Sequence, residues 1–403
     1  RCVESDAALA VLRILGPEDL LKLGADEAGT LKSVIETHLM HAEGELLELM
    51  IGALSRIGDD RSARCLAGLA RLVDPDVHPE TFQAIENALA HIQATEVAGE
   101  LLDGEEKLAV LGARVLERIG GRRAAELVQS RLSQVQGHVR RAFVEALASI
   151  DVVGYRDTFK ALLKDPDGHV VRSCLVALGR AGDPGDVDDM SRYLVHEYPD
   201  VREAALQGMV SIGTGRVQQV FVEMCGDPDP RRRLVGLAGL ARVGSPHLGE
   251  IVRVFLGDPD AEVRLRAVNA ARDASLMIEA GVLARLLEDE DEGVRYAAVE
   301  LVGLGRAEDL RGKLEEIAAG EDLRAASIAI ESLANFRDDA ALGTLLEFMA
   351  RGPDLLRITA IRALGNWGRE DLVPRIEPYQ DDANPDVVRS AMDAVDRLQG
   401  VRF

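Results

Sequence analysis

Apolar positions in this chain recur at helical intervals, not at the alternating intervals of a strand. Between Pro246 and Ser275, the stretch "PHLGEIVRVFLG" sets Leu248, Ile251, Val252 and Phe255 on one helical face. Pro246 suits the first turn of that helix, where its missing N–H does no harm. The next stretch, "DPDAEVRLRAVNAARDA", opens with a Pro that stops the first helix and offers Asp260 to cap the free N–H groups of a second. Val263, Ala267, Ala270 and Ala271 form the inward stripe of that second helix. A helix about 18 Å long, at about 1.5 Å per residue, presents too narrow a stripe to hold alone. Stacking of neighbouring pairs must bury it, and Ala or Gly at the contact lets the axes approach closely.

The pair repeats. The outline Asp-x-Asp-x-x-Val-Arg in "GDPDAEVRLRAVNAA" returns at Asp289 as "DEDEGVRYAAVELVG", and an earlier form stands at Asp227 as "DPDPRRRLVGLAGL". Arg202, Arg233, Arg264 and Arg295 are each 31 residues apart. Weaker matches at Arg140, Arg172, Arg324, Arg357 and Arg389 continue the series in steps of 29 to 33. Self-similarity at this period signals stacked supersecondary units. In three units the Arg follows an Asp by six residues: Asp227 and Arg233, Asp258 and Arg264, Asp289 and Arg295. A charge at the edge of a helix interface is costly unless paired. The guanidinium is therefore expected to reach Asp carboxylates or turn carbonyls of its own and the adjacent unit, as a structural ladder and not as an anion site.

These stretches, with "KDPDGHVVRSCLVALGRAG", resemble HEAT repeats, and more narrowly the short bacterial form also found in phycobilisome lyases. The resemblance runs from about Gly137 to Gln399. Toward the N-terminus "EGELLELMIGALSRIG" and "PETFQAIENALAHI" keep the helical stripe but lose the Asp and Arg. With these degraded copies the chain holds about twelve helix pairs. The resemblance implies an all-α fold, a right-handed α-solenoid whose second helices line a concave surface. No Ser/Gly or Pro-rich linker interrupts it, so residues 45–403 read as one continuous array. Residues 1–44, which include the most aperiodic segment from Gly16 to Gly44, read as an irregular N-terminal helical cap continuous with it. Asp393, Asp396 and Arg397 give the last helix a polar outer face.

Composition narrows the partners. A chain of 403 residues exceeds one ordinary core unless it grows as an array, and only 3% aromatic residues argues against a sandwich or barrel. The net charge of −22 repels phosphate backbones and acidic membrane surfaces, so neither nucleic acid nor membrane is an expected partner, despite basic islands at Arg122-Arg123 and Arg231 to Arg233. Apolar runs fall far short of the roughly 18 residues a spanning helix needs. Cys2, Cys65, Cys174 and Cys225 are scattered, which fits a reducing compartment and a cytoplasmic location. The chain begins with Arg1 instead of Met and reads as a fragment.

Candidate chemistry is thin. His38 and His41, with Glu36, Glu43 and Glu45 near, share a helical face that suits zinc, but spacing places no third ligand. One hydroxylase family built of HEAT-like repeats holds iron with repeated His-Glu pairs; this chain has one pair, His196-Glu197. DNA glycosylases of similar build present basic, aromatic grooves, whereas Trp367 is the sole tryptophan here and reads as core. The acidic run Glu288 to Gly293 reads as a capped, solvated turn.

A non-catalytic interaction scaffold is therefore expected, without cofactor or metal, in bacterial signalling or complex assembly. Its partner would be a protein with a basic or amphipathic face, bound along the concave surface. Tyr296 follows the ladder Arg where other units carry Ser173, Glu203, Leu234 or Leu265, and reads either as a contact anchor or as packing over a neighbouring Arg. Glu300, Glu203, Gln207 and Asn269 join it as expected contacts. The alternative, carried by the repeat type alone, is a lyase-like enzyme or chromophore-handling protein.

Overall fold

The computed structural model describes Ala10, Leu12, Ile14 and residues 17–400, so Arg1, Cys2 and most of the first stretch of the expected cap lie outside the described residues. Every regular element among the described residues is helical. The chain packs as two compact units, residues 1–217 and 218–403, and each repeats the hairpin plan of an α-solenoid.

In the first unit the second helices of successive hairpins are Gly44–Ile57, Pro79–His91, Glu106–Ile119, Gly137–Asp151, Gly168–Ala181 and Pro199–Ile212, and each packs on the next. Their leading helices are Ala25–His38, Asp60–Leu72, Thr95–Leu101, Gly121–Arg131, Arg156–Leu162 and Val187–Ser191. Ala25–His38 falls within the stretch expected to be a cap, yet packs on Gly44–Ile57 and Asp60–Leu72 as a leading helix does. In the second unit the second helices are Pro230–Arg242, Ala261–Asp273, Glu292–Gly305, Leu323–Ala334, Asp354–Gly365 and Pro385–Leu398, again packed in series. The leading helices are shorter on average, and Val373–Ile376 is a single turn running into the 3-10 turn Glu377–Asp381.

The repeated Asp-x-Asp divides its labour at the turn inside each hairpin. The second Asp caps the helix: Asp260 accepts from the Val263 N–H at 3.1 Å, and Asp291 from the Val294 N–H at 2.9 Å. The first folds the turn, with Asp258 and Asp289 each accepting the N–H of the second Asp at 2.9 Å. Gly182 ends the helix Gly168–Ala181 in the left-handed region at φ +72°, a cap that a Cβ would strain. The helix Leu248–Phe255 starts later than its sequence suggests, leaving Pro246 in the preceding turn.

Small residues set the spacing between second helices. Val263, Ala267 and Ala271 are fully buried, while Ala270 is half-buried. Gly179 and Gly208 meet at backbone contact, where a Cβ on Gly179 would sit 2.4 Å from the Gly208 Cα.

Candidate partner-binding face

Buried charge ties several successive second helices together. Arg264 donates from Nε and Nη2 to the Asp289 carboxylate of the following hairpin, 2.7 Å each. Its Nη1 donates to the turn carbonyls of Asp258 and Pro259 in its own hairpin, at 2.8 and 3.2 Å. Arg233 does the same, reaching Asp258 at 2.8 and 2.7 Å and the carbonyls of Asp227 and Pro228 at 3.0 and 2.9 Å. The Asp289 and Asp258 hydrogen bonds hold the Arg264 and Arg233 guanidinium groups more firmly protonated than usual. Burial pushes the Asp289 carboxyl up, but Arg264 and the Asp291 N–H outweigh it and hold it below the usual range. Arg295 donates to the Asp289 and Glu290 carbonyls at 2.8 and 3.1 Å.

Counting from the cap residue fixes the register. Arg233, Arg264, Arg295 and Arg357 each stand four residues after the cap, as does Arg140, which donates to the Val135 carbonyl and to Asp165. Three of the weaker matches depart from this. Arg172 and Arg389 lie one residue too late and Arg324 two too early, and all three are exposed. Val171, Ala326 and Val388 occupy the slot in those hairpins.

The same count sorts the open face of the second helices into columns. Five residues after the cap come Glu48, Gln83, Val110, Arg141, Arg172 and Glu203 in the first unit, and Leu234, Leu265, Tyr296, Ser327, Ile358 and Arg389 in the second. Nine after the cap come Gly52, Asn87, Arg114, Glu145, Val176 and Gln207, then Ala238, Asn269, Glu300, Glu331, Arg362 and Asp393. Glu203 and Gln207 are exposed, whereas Asn269, Tyr296 and Glu300 are half-buried. Tyr296 donates its hydroxyl to Asp322 at 2.8 Å and lies under the Arg324 guanidinium, 5.0 Å from the ring centroid. Glu300 accepts from Arg272 at 2.9 Å. The five expected contact residues thus fall in two columns of one helix row in each unit.

Further ion clusters join leading helices, and the repeat motif gave no sign of them. The fully buried Asp186 accepts from Arg156 at 2.7 Å twice and from Lys160 at 3.2 Å. Arg311 stacks on Phe336 at 4.5 Å and pairs with Asp338, whose carboxyl that guanidinium holds down to about 2. Because this folded-state value lies below the unfolded one of about 3.9, the pairing adds stability above about pH 4 and loses it as pH falls toward 2. NMR titration should place the Asp338 midpoint near 2, rising part of the way toward the ordinary carboxylate range in Arg311→Gln, where the Ala341 N–H bond remains.

Among the described residues no group of three or more His, Cys, Asp or Glu could hold a metal ion. Glu36, near His38, is instead buried against the Ser62 hydroxyl at 2.6 Å and Arg61 at 3.2 Å. His196 accepts from the Tyr198 N–H at 3.2 Å and packs between Tyr193 and Tyr198. Trp367 is buried. Burial pushes the Cys225 thiol up to about 12 and raises Cys174 as well, so neither is a ready nucleophile. No described helix is long and apolar enough to cross a membrane.

Residues 156–241 match the family model for HEAT repeats. No curated protein matches the sequence. The crystal structure of Kap121p is similar with a TM-score of 0.61, covering 98% of this chain and 52% of that one at 10% identity. Kap121p bound to Nup53p gives 0.61 over 94% and 50% at 11% identity. Kap95p, in a structure described as switching the loops of RanGDP, gives 0.54 over 85% and 56% at 14% identity. The chain spans about half the length of these proteins. Likeness at such identity establishes the solenoid fold and nothing finer.

Proposed function

We propose that this chain is a non-catalytic protein-interaction scaffold whose partner lies across the open face of the second helices. One observation carries the reading. The buried stripe recurs from hairpin to hairpin, and the ladder in several of them, while the columns five and nine residues after the cap vary in chemistry along the array. Positions whose chemistry the repeat does not fix are where a solenoid writes recognition. Tyr296, Glu300, Glu203, Gln207 and Asn269 are the contacts we assign.

The net charge of −22 favours a partner with a basic or amphipathic face, drawn in by long-range attraction. The similar Kap121p, which its structure shows bound to Nup53p, supports the reading by analogy. We place the activity in the cytoplasm, in bacterial signalling or complex assembly. The narrower kinship with phycobilisome lyases, and the lyase-like activity that would come with it, draw on the repeat alone.

With a partner purified by affinity capture, crosslinking should map it to the second-helix columns, at Glu203 or Gln207 in the first unit. Its affinity should fall about tenfold when ionic strength rises from about 0.05 to about 0.5 M. Crosslinks confined to leading helices would overturn the scaffold face, and salt-insensitive binding would remove the electrostatic part.

A further inference from the structure

Resting on that reading, we infer that the second unit carries the docking strip, and that it accepts a cationic, extended segment of a partner protein with an apolar side chain at every third position. The fifth-residue column differs in kind between the units. In the first it carries Glu48, Gln83, Val110, Arg141, Arg172 and Glu203, only one of them apolar; in the second Leu234, Leu265, Tyr296 and Ile358 make it largely apolar, with Ser327 and Arg389 the exceptions. These apolar side chains are half-buried, and Leu265 and Tyr296 lean on the start of the next second helix. The Leu265 Cδ2 lies 3.5 Å from where a Gly293 Cβ would be, and Tyr296 reaches Asp322. One flank of each stays open, and two exposed leucines, Leu323 and Leu355, extend the apolar surface at 44% and 47% exposure.

The border toward the hairpin turns is acidic. Glu262, Glu290, Glu292, Glu321 and Asp354 are exposed beside the column, against Arg231, Arg266 and Arg324; Glu290 and Asp354 also pair with Arg264 and Arg357, and Arg324 is engaged over the Tyr296 ring. A cationic occupant fits this charge. Adjacent packed helices lie about 8–10 Å apart. Three residues of an extended or polyproline-like chain span about 9–10 Å, so every third side chain meets the next apolar notch.

The probe is a fluorescein-labelled peptide of repeated Leu-Lys-Pro, titrated with the full chain by fluorescence anisotropy, with repeated Leu-Glu-Pro as the charge control. The Lys peptide should bind and the Glu peptide should not. Leu323→Asp with Leu355→Asp should weaken the Lys peptide about tenfold without changing the thermal melt, since both side chains are largely in solvent. Glu262→Lys with Glu321→Lys, both exposed, tests the border separately and should weaken it by a similar factor. Arg172→Ser, at an exposed position of the first unit that is not among the assigned contacts, should leave affinity unchanged. No binding by the wild-type chain, undiminished binding by both second-unit variants, or an equal loss from the first-unit variant would each overturn the assignment. If the peptide fails while a purified partner still crosslinks to the second-helix columns, only this strip falls; if both fail, the scaffold reading falls with it.

Discussion

Replacing Arg264 by Ala is expected to destabilise the second unit by about 3–5 kcal/mol, the cost of removing one partner from a buried ion pair. The Arg264 and Asp289 side chains are only 9% and 10% exposed. Without the guanidinium, the Asp289 carboxylate loses both charge-assisted bonds, and the Asp258 and Pro259 carbonyls lose a shared donor. Lys should restore only part of the loss, because a single ammonium cannot span a carboxylate and two carbonyls as the planar fork does. Arg295→Ala should cost less, about 1–3 kcal/mol, since Arg295 bonds turn carbonyls and Gly320 stands where a carboxylate would receive it. Urea unfolding of the variants measures both, and a double-mutant cycle with Asp289→Asn isolates the Arg264 pair. A loss within about 0.5 kcal/mol for Arg264→Ala would reduce the ladder to surface decoration.

Gly179→Ala should destabilise the first unit by about 3 kcal/mol, the upper end of the usual cost of an added methyl in a tight core. The new Cβ would meet backbone, 2.4 Å from the Gly208 Cα and 3.1 Å from its carbonyl oxygen. Backbone cannot rotate away as a side chain can, so the helices Gly168–Ala181 and Pro199–Ile212 must move apart along their shared seam. Gly312→Ala is the matched control. It sits in the helix Arg311–Ala318 with nothing within 4 Å of its added Cβ, and should be neutral or stabilising by up to about 1 kcal/mol. Thermal and urea unfolding should separate the two substitutions clearly; equal stability would mean that the second helices are not held at backbone contact.

The hairpins and their caps were legible because helical periodicity and cap chemistry are local. Val263 and Ala267 mark a stripe, and Asp260 marks its start, within a few residues of one another. The ladder register was less so. Arg172, Arg324 and Arg389 have the right residue type near the right interval, and only the cap position shows that they face solvent. The Arg156–Asp186 cluster joins residues 30 apart on leading helices as short as Val187–Ser191, where too few turns exist for any periodic signal. The division at residue 217 left no composition mark, since no linker separates the units. Of the contact face, Tyr296 stood out as an aromatic among aliphatic and polar neighbours, but its engagement by Asp322 and Arg324 depends on the following hairpin.

The ladder also has a direction. Arg233 reaches forward to Asp258 and Arg264 forward to Asp289, so the hairpin of Arg264 carries both a plug for the next and a socket for the one before. A gene segment encoding one 31-residue hairpin can therefore be copied in tandem with both new junctions already complementary. Such a chain lengthens by duplication without inventing an interface, whereas a segment cut out of phase would strand a cation at one junction and an anion at the other.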